Sequence, residues 1–191
     1  SVKIANEFKA ALNNNQLTLN YQPIIDLANG RVMGFEALMR WKHPEKGFIS
    51  PGLFIPVAEK SGLIVEASRW ALKESCAALK RIEAGSKRAG EIYMSVNFSS
   101  HDFAEDNFVK HTLDTVSAAG LKPAQMKLEI TERLLIQQPD NAKVTLQKCR
   151  DAGMGIAIDD FGTGYSSLSY LYYFPIETLK IDQSFIRAMY K

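Results

Sequence analysis

The stretch GIAIDDFG (155–162) decides the fold that this sequence predicts. It begins with the apolar residues of a buried strand and ends in two adjacent aspartates. Because side chains alternate between the two faces of a strand, Ala157 and Asp159 share one face, and Ile156 and Ile158 share the other. One face of this strand is therefore apolar, and the other is small or acidic.

Four other stretches show the same alternation and are predicted to be strands: 32–41, 92–99, 126–131 and 178–182. The five strands direct polar residues to one face, mostly toward the carboxyl end. These residues are Glu36, Asn97, Glu129, Asp159, Lys180 and Asp182. A sheet covered by helices on both faces would instead consist of continuous apolar runs. The pattern therefore favours an α/β barrel whose polar interior opens at the carboxyl-terminal mouth, over the half-solvated strands of an α+β sheet.

The connections between strands predict how the sheet is wound. The first two strands, 16–24 and 32–41, are separated by a short turn that contains Gly30, which predicts an antiparallel hairpin. Beyond it the strands alternate with helices, which predicts a parallel sheet of six strands in total. The predicted helices are 50–62, 63–85, 101–120, 140–153, 166–175 and one that begins at Gln183.

The composition excludes several classes of protein. The chain has 191 residues, of which 46% are hydrophobic, and its net charge is +2. This charge gives no basis for binding DNA or RNA polymers, and no apolar run approaches the roughly 20 residues of a membrane span. The two cysteines, Cys76 and Cys149, form no CxxC pair. We therefore expect reduced, buried thiols and a cytoplasmic protein without direct membrane insertion.

The polar residues of the barrel mouth predict bound divalent cations. With Asp160 and Glu132 added, the mouth holds so many carboxylates that they repel strongly unless cations neutralise them. All candidate ligands are oxygen donors, which suit Mg²⁺, Mn²⁺ or Ca²⁺ and argue against structural zinc. Two such ions about 3.5–4 Å apart are a common device for phosphodiester hydrolysis. Lys180 could hold the attacking water or a phosphate oxygen, and Arg40 could pair with a phosphate.

Single residues in this set have simpler explanations. Asp182 suits the N-cap of the helix that begins at Gln183. Glu132 suits a cap or a pair with Arg133, and Glu36 taken alone is an ordinary polar residue. It is the coincidence of five strands that raises the whole set above these alternatives.

Six motifs in chain order resemble those of a known family. They are YQPI (21–24), EALMRW (36–41), SVNFS (95–99), LEITE (128–132), DDFGTGYSSL (159–168) and LKID (179–182). Together they closely resemble the EAL domain over nearly the whole chain. The resemblance implies a modified TIM barrel with an antiparallel first strand. It also implies a phosphodiesterase that hydrolyses cyclic di-GMP to linear pGpG with two Mg²⁺ or Mn²⁺ ions and is inhibited by Ca²⁺.

The resemblance also assigns roles to the matching residues. The implied metal ligands are Glu36, Asn97, Glu129, Asp159 and Asp160. The implied catalytic residues are Lys180, which positions the attacking water, Glu132, which holds the loop after strand 155–162, and Asp182. The implied dinucleotide contacts are Gln22, Leu38 and Arg40.

The family pattern extends beyond LKID (179–182), whereas this sequence ends at Lys191. We therefore expect an incomplete domain over residues 1–191, truncated after about six strands and lacking strands seven and eight and one metal-site glutamate. Such a fragment is expected to turn over little or no substrate. The missing part is explained by a longer molecule, by truncation, or by a partner chain that supplies it.

Two other functions stay open on the sequence alone. A non-catalytic cyclic di-GMP receptor would bind the dinucleotide without turnover. A different Mg²⁺-dependent barrel enzyme, such as an aldolase or enolase-like lyase, would also gather carboxylates at its mouth, but the hairpin and the ordered motifs argue against it. As partners we expect cyclic di-GMP, a second copy in a homodimer, and flanking sensory or GGDEF-type domains, which also allow membrane tethering.

Overall fold

A seven-stranded sheet carries the residues of the predicted site. The computed structural model describes residues 2–162 and 171–189. The strands are β1 (Leu17–Ile25), β2 (Val32–His43), β3 (Gly47–Ile49), β4 (Tyr93–Asn97), β5 (Met126–Thr131), β6 (Gly155–Phe161) and β7 (Thr178–Ile181). The helices within the described residues are α1 (Val2–Asn13), α2 (Pro51–Lys60), α3 (Leu63–Ala84), α4 (Ser100–Phe103), α5 (Phe108–Ala118), α6 (Glu132–Gln137), α7 (Pro139–Asp151) and α8 (Gln183–Ala188), with a 3₁₀ turn at Pro123–Gln125.

The first two strands form the predicted antiparallel hairpin. β1 pairs with β2 in a register that places Gln22 opposite Glu36. In the connecting turn, the carboxylate of Asp26 accepts a hydrogen bond from the backbone N–H of Ala28. Gly30 follows with a φ of 70°, a left-handed conformation that glycine adopts without steric cost. The turn therefore explains why the chain reverses here.

Beyond the hairpin, the strands that carry the site are parallel and follow chain order. β2 pairs with β4, β4 with β5, β5 with β6, and β6 with β7. A doubly wound sheet reverses its strand order at a switch point, and the described strands show no such reversal. The order is that of a barrel wall. In the described part of the chain, β1 and β7 are the two edges of this sheet.

The structure adds elements that the sequence pattern does not predict. β3 pairs antiparallel with the end of β2 and is too short for alternation to be visible, so it joins the six predicted strands. The predicted helix 101–120 is two helices, and the first of them begins with a capping box between Ser99 and Asp102. α1 and α6 are further additions. Most of the predicted helix 166–175 lies outside the described residues.

Two apolar clusters hold the helices against the sheet. In the larger cluster, Leu128 of β5 and Ile156 of β6 are fully buried. The smaller cluster joins α1, β2 and α2 through the stacked and edge-on rings of Phe8, Trp41 and Phe54. Since these apolar residues occupy one face of the sheet, the polar residues of the same strands lie on the opposite face.

The cysteines and the helices bear on two predictions made from composition. Cys76 and Cys149 are free thiols buried in the larger cluster, as predicted. Among the residues that the structure describes, no helix is both long enough and apolar enough to cross a membrane.

Candidate active site

Strand register brings polar residues of separate strands side by side. Glu36 on β2 lies opposite Ser95 on β4, and Asn97 on β4 lies opposite Glu129 on β5. On β6, Asp159 lies two positions beyond the residue that pairs with Glu129. Because aligned residues of neighbouring strands point to the same face of a sheet, these five side chains form one polar surface, as the alternation predicts.

Three carboxylates converge on this surface. One oxygen from each of Glu36, Glu129 and Asp159 lies within 4.8 Å of the others. Glu129 is 1% exposed and Glu36 is 8% exposed, so the cluster is largely withdrawn from solvent. The donors are all carboxylate oxygens, which are the ligands that hard divalent cations prefer. The geometry therefore fits a divalent metal ion in the place that the sequence predicts.

Lys180 places its ammonium among these carboxylates. Its Nζ lies 2.7 Å from Oε2 of Glu36, 2.7 Å from Oε2 of Glu129 and 3.6 Å from Oδ1 of Asp159. Burial by itself lowers the pKa of Lys180, but hydrogen bonds and charge interactions with the two glutamates outweigh it and raise the pKa above its usual value. The side chain therefore stays a cation throughout the physiological pH range.

Two neutral side chains orient the glutamates. The amide of Asn97 donates a hydrogen bond to Oε1 of Glu36 at 3.1 Å, and the hydroxyl of Ser95 donates one to Oε1 of Glu129 at 2.7 Å. The sequence analysis does not assign Ser95 to the site, although the alternation places it on the polar face. Ser95 is fully buried beside Glu129. The sequence signal that would have identified it is that it shares a strand face with Asn97.

The pKa of Glu129 is raised chiefly because the side chain is buried. Burial raises its pKa to about 7, with a further contribution from Glu36, while Lys180 and Ser95 act in the opposite direction. One ammonium does not balance three carboxylates in a low-dielectric site. Additional positive charge would therefore be stabilising here, which is the physical condition for metal binding.

The pair Asp159–Asp160 lies at an irregularity in β6. The pairing of β6 with β7 shifts register between Ile158 and Phe161, and Asp160 has a φ of 54°. Such a bulge gives one strand an extra residue and redirects its side chains. It allows both aspartates to line the same cavity at the strand end. Burial raises the pKa of Asp160, and the charges of Asp159 and Asp182 raise it further.

Asp182 serves as the N-cap of α8, which was one of the two explanations considered from the sequence. Its carboxylate accepts a hydrogen bond from the backbone N–H of Ser184 at 2.8 Å. A hydrogen bond with the side chain of Ser184 is the main cause that lowers the pKa of Asp182, followed by this backbone bond, and a hydrogen bond with Asp160 contributes. The residue thus caps a helix and also lies next to the aspartate pair.

Glu132 is the first residue of α6 and lies beneath the strand ends. It is 4% exposed, and within the described residues neither of its carboxylate oxygens has a hydrogen-bond partner. The resemblance predicts that Glu132 holds the loop after β6. Residues 163–170 of that loop lie outside the described part of the chain, so this role stays a prediction.

The three predicted dinucleotide contacts occupy the hairpin. Gln22 is exposed on β1 and pairs in register with Glu36. Leu38 and Arg40 follow on β2, and both line the same cavity. Arg40 donates one hydrogen bond, to the backbone carbonyl of Met39, through Nη1. Within the described residues, the rest of its guanidinium has no partner.

A cavity of about 300 Å³ adjoins the carboxylate cluster. At its inner side lie Asn97, Asp159 and Asp160. Its other lining residues are Leu19, Ala37, Leu38, Met39, Arg40, Pro51, Ile55, Glu59, Ile64, Ser68, Ala71, Val96, Phe98, Ser99 and Thr131. This volume lies at the lower end of the range of small-molecule sites. The helical part of the wall is not predicted from the sequence, because helical periodicity shows which side of a helix is buried and not what it faces.

Comparison with known proteins gives this site a context. The family model for the EAL domain matches residues 5–191. MucR of Pseudomonas aeruginosa, named a bifunctional diguanylate cyclase/cyclic di-GMP phosphodiesterase, is 40% identical over 188 residues, which are 98% of this chain and 27% of MucR. NbdA of the same organism, named a cyclic di-GMP phosphodiesterase, is 38% identical over 186 residues, which are 97% of this chain and 23% of NbdA. The chain therefore spans about a quarter of the length of these relatives.

Solved structures show the same similarity in three dimensions. The structure described as PaMucR phosphodiesterase in complex with c-di-GMP matches with a TM-score of 0.90 at 39% identity, over 98% of this chain and 75% of that chain. The EAL enzyme Bd1971, described with cAMP and cyclic di-GMP bound, matches with a TM-score of 0.92 at 36% identity, over 99% of this chain and 52% of that chain. These matches confirm the predicted α/β fold of the TIM-barrel type.

The motifs that carry the predicted site are also the segments that the fold brings together. EALMRW (36–41) supplies one glutamate of the cluster, LEITE (128–132) supplies another, and LKID (179–182) supplies the lysine between them. The family model covers these segments and almost all of the remaining chain. By sequence, fold and the arrangement of these residues, the chain belongs to the EAL domain family.

Proposed function

We propose that this EAL domain is a cyclic di-GMP phosphodiesterase that hydrolyses cyclic di-GMP to linear pGpG. The observation that carries the proposal is the convergence of Glu36, Glu129 and Asp159 around Lys180, beside a cavity of about 300 Å³. The names of the relatives MucR and NbdA support the same reaction. Phosphodiester hydrolysis needs a site that binds a phosphate and activates a water, and this arrangement offers groups for both tasks.

The donor set suits two Mg²⁺ or Mn²⁺ ions. The residues that would hold them are Glu36, Asn97, Glu129, Asp159 and Asp160. When bound, such ions lower the pKa of a water and neutralise the charge that develops on the phosphate. Ca²⁺ takes the same kind of oxygen ligands in a looser geometry, and we propose that it supports binding of the dinucleotide without turnover.

The protein's own side chains would orient the reactants. A protonated Lys180 has three N–H donors and no acceptor, so it can donate a hydrogen bond that holds the attacking water. Arg40 has N–H groups without a partner in the described part of the chain, and these could bind a phosphate. In the reaction, the water oxygen bonds to phosphorus, the bond from phosphorus to the ribose O3′ breaks, and O3′ receives a proton. The residues proposed to position the loop after β6 and the dinucleotide are Glu132, Asp182, Gln22 and Leu38.

The proposal is tested on the longer protein that we propose carries this domain, because residues 1–191 alone are expected to turn over little substrate. That protein is incubated with cyclic di-GMP and Mn²⁺, and the products are separated by chromatography. We expect pGpG as the product, and no product from Asp159→Asn. Glu45→Gln is the matched control, because Glu45 is exposed and lies outside the cavity. A protein that binds cyclic di-GMP tightly with Mn²⁺ but forms no pGpG would contradict hydrolysis.

A receptor without turnover is the second candidate function. The supporting observation is that the ammonium of Lys180 lies 2.7 Å from both Glu36 and Glu129, so it would neutralise these carboxylates in a receptor that holds no metal. Calorimetric titration with cyclic di-GMP in EDTA and in Ca²⁺ separates the two functions. Tight binding in EDTA, together with no pGpG in Mn²⁺, would establish the receptor.

We also propose that the domain acts in the cytoplasm as part of a longer protein with sensory or GGDEF-type domains. The support is that this chain matches about a quarter of each of two longer relatives, one of which is named a bifunctional cyclase and phosphodiesterase. Homodimer formation and an incomplete barrel over residues 1–191 stay predictions from the sequence.

A further inference from the structure

Two helices present regularly spaced side chains to the cavity beside the carboxylate cluster. From α2 these are Pro51, Ile55 and Glu59, and from α3 they are Ile64, Ser68 and Ala71. Residues four apart share one face of a helix, so a single face of α2 carries two apolar side chains and one carboxylate. The helical wall of the cavity is therefore apolar except at Glu59 and Ser68.

The carboxylate of Glu59 has no partner in the part of the chain that the structure describes. It is half-buried, and it makes no hydrogen bond and no ion pair there. Ser68 is already engaged, since its hydroxyl donates to Asp102. Arg40 lines the same cavity without forming an ion pair with Glu59. The cavity thus holds a half-buried carboxylate that no donor among the described residues engages.

The position of Glu59 is set by the packing of α2. Phe54, one turn before it, is fully buried and contacts the rings of Phe8 and Trp41. At the end of the helix, the hydroxyl of Ser61 donates to the carbonyl of Val57. Because Trp41 belongs to the strand that carries Arg40, this packing fixes the position of Glu59 relative to the side of the cavity that Arg40 lines.

An ionised carboxylate can only accept hydrogen bonds. A flat ring that fills an apolar slot and presents two adjacent N–H donors is its best partner. Guanine presents such a pair at N1 and N2. Adenine offers the N6 donor next to the N1 acceptor instead. One oxygen of a carboxylate would therefore face the lone pair of N1 and be repelled by it.

We propose that Glu59 accepts two hydrogen bonds from the N1 and N2 edge of one guanine of cyclic di-GMP and makes the site selective for guanine over adenine. The inference rests on the proposed function, because it takes the phosphates of the dinucleotide to lie at the carboxylate cluster. Glu59 acts in this scheme as a specificity residue and takes no part in bond breaking.

The test is calorimetric titration of the wild type, Glu59→Gln and Glu66→Gln with cyclic di-GMP and with cyclic di-AMP, in Ca²⁺. Glutamine keeps the size of the side chain and can pair with adenine as both donor and acceptor. We expect Glu59→Gln to weaken the binding of cyclic di-GMP by about tenfold or more and to leave cyclic di-AMP binding unchanged or tighter. Glu66 is exposed on α3 and outside the cavity, so its variant should match the wild type.

The ratio of the two affinities decides the outcome. If Glu59→Gln keeps the wild-type preference for cyclic di-GMP, or weakens both dinucleotides equally, Glu59 does not recognise the base, and the proposed phosphodiesterase function is untouched. If the wild type binds neither dinucleotide, the proposed function itself fails. Thermal unfolding of each variant shows that the fold is retained.

Discussion

The ammonium of Lys180 lies 2.7 Å from the carboxylate of Glu129, although 51 residues separate them in the chain and their strands are not neighbours. β6 runs between those strands and contributes Ala157, which pairs in register with Glu129 on one side and with Thr178 on the other. Ala157 is fully buried. Thr178 and Lys180 share one face of β7, so we infer that the small side chain of Ala157 leaves room for the lysine to reach the glutamate across β6.

Replacing Lys180 by methionine is expected to destabilise the metal-free protein. The change keeps the length of the side chain but leaves Glu36 and Glu129 without their cation, and an unpaired buried carboxylate is costly. We expect a loss of roughly 1–3 kcal/mol of unfolding free energy in EDTA, measured by urea denaturation. Lys60→Met, at an exposed position, should change little, and an equally stable Lys180→Met would show that the pair contributes nothing.

Replacing Ala157 by valine should separate Lys180 from Glu129. Two added methyl groups on the crowded inner face would force the lysine aside, and overpacking of this kind costs roughly 1–3 kcal/mol. Urea denaturation in EDTA measures the loss. In combination with Lys180→Met the two losses should not add, since both variants break the same contact. Strict additivity would refute the crossing described above.

If Mn²⁺ occupies the proposed site, it should raise the unfolding temperature of the wild type, because an ion that binds only the folded state stabilises that state. At a concentration about 100 times its dissociation constant, the gain is about 2.7 kcal/mol. Glu129→Gln should lose most of this gain, while Glu45→Gln should keep it. Differential scanning calorimetry at several Mn²⁺ concentrations measures the effect without reference to catalysis. A gain that survives Glu129→Gln would place the ion elsewhere.

Asp102 should make stability depend on pH in a defined direction. Burial raises its pKa above the ordinary value of 3.8, against the hydrogen bonds that it accepts from Ser99 and Ser68. Between the unfolded and folded pKa values the folded state therefore binds more protons, so stability falls as the pH rises from about 3.8 through the folded value.

The variant Asp102→Asn keeps an acceptor for the capping bonds but cannot ionise. Its stability relative to the wild type should therefore increase from pH 3.5 to pH 7 by roughly the amount that the wild type loses. Asp106→Asn, four residues away and exposed, is the matched control. Urea denaturation across this range checks the sign, and a relative stability that decreases with pH would contradict the assignment.

The alternation of residues in the strands predicts a large part of the site. It places Glu36, Glu129 and Lys180 on one face before any pairing is known, because the side-chain period of a strand is a local property. The short turn around Gly30 likewise predicts the antiparallel hairpin. Local patterns therefore account for the faces of the sheet and for the chemistry collected at its strand ends.

Other features depend on contacts between distant segments. The bulge at Asp160 arises where β6 pairs with β7. Two adjacent aspartates in a sequence do not by themselves predict the φ of 54° that Asp160 adopts. Glu59 reaches the cavity only because Phe54 packs on Trp41 and Phe8.

The sequence by itself determined which residues share a face and which chemistry they offer, since the two-residue alternation of a strand and its residue types depend only on the local sequence. Only the tertiary structure decided that Lys180 of β7 bridges Glu36 of β2 and Glu129 of β5. Such a bridge depends on strand order and register, and these are set by packing over the whole sheet.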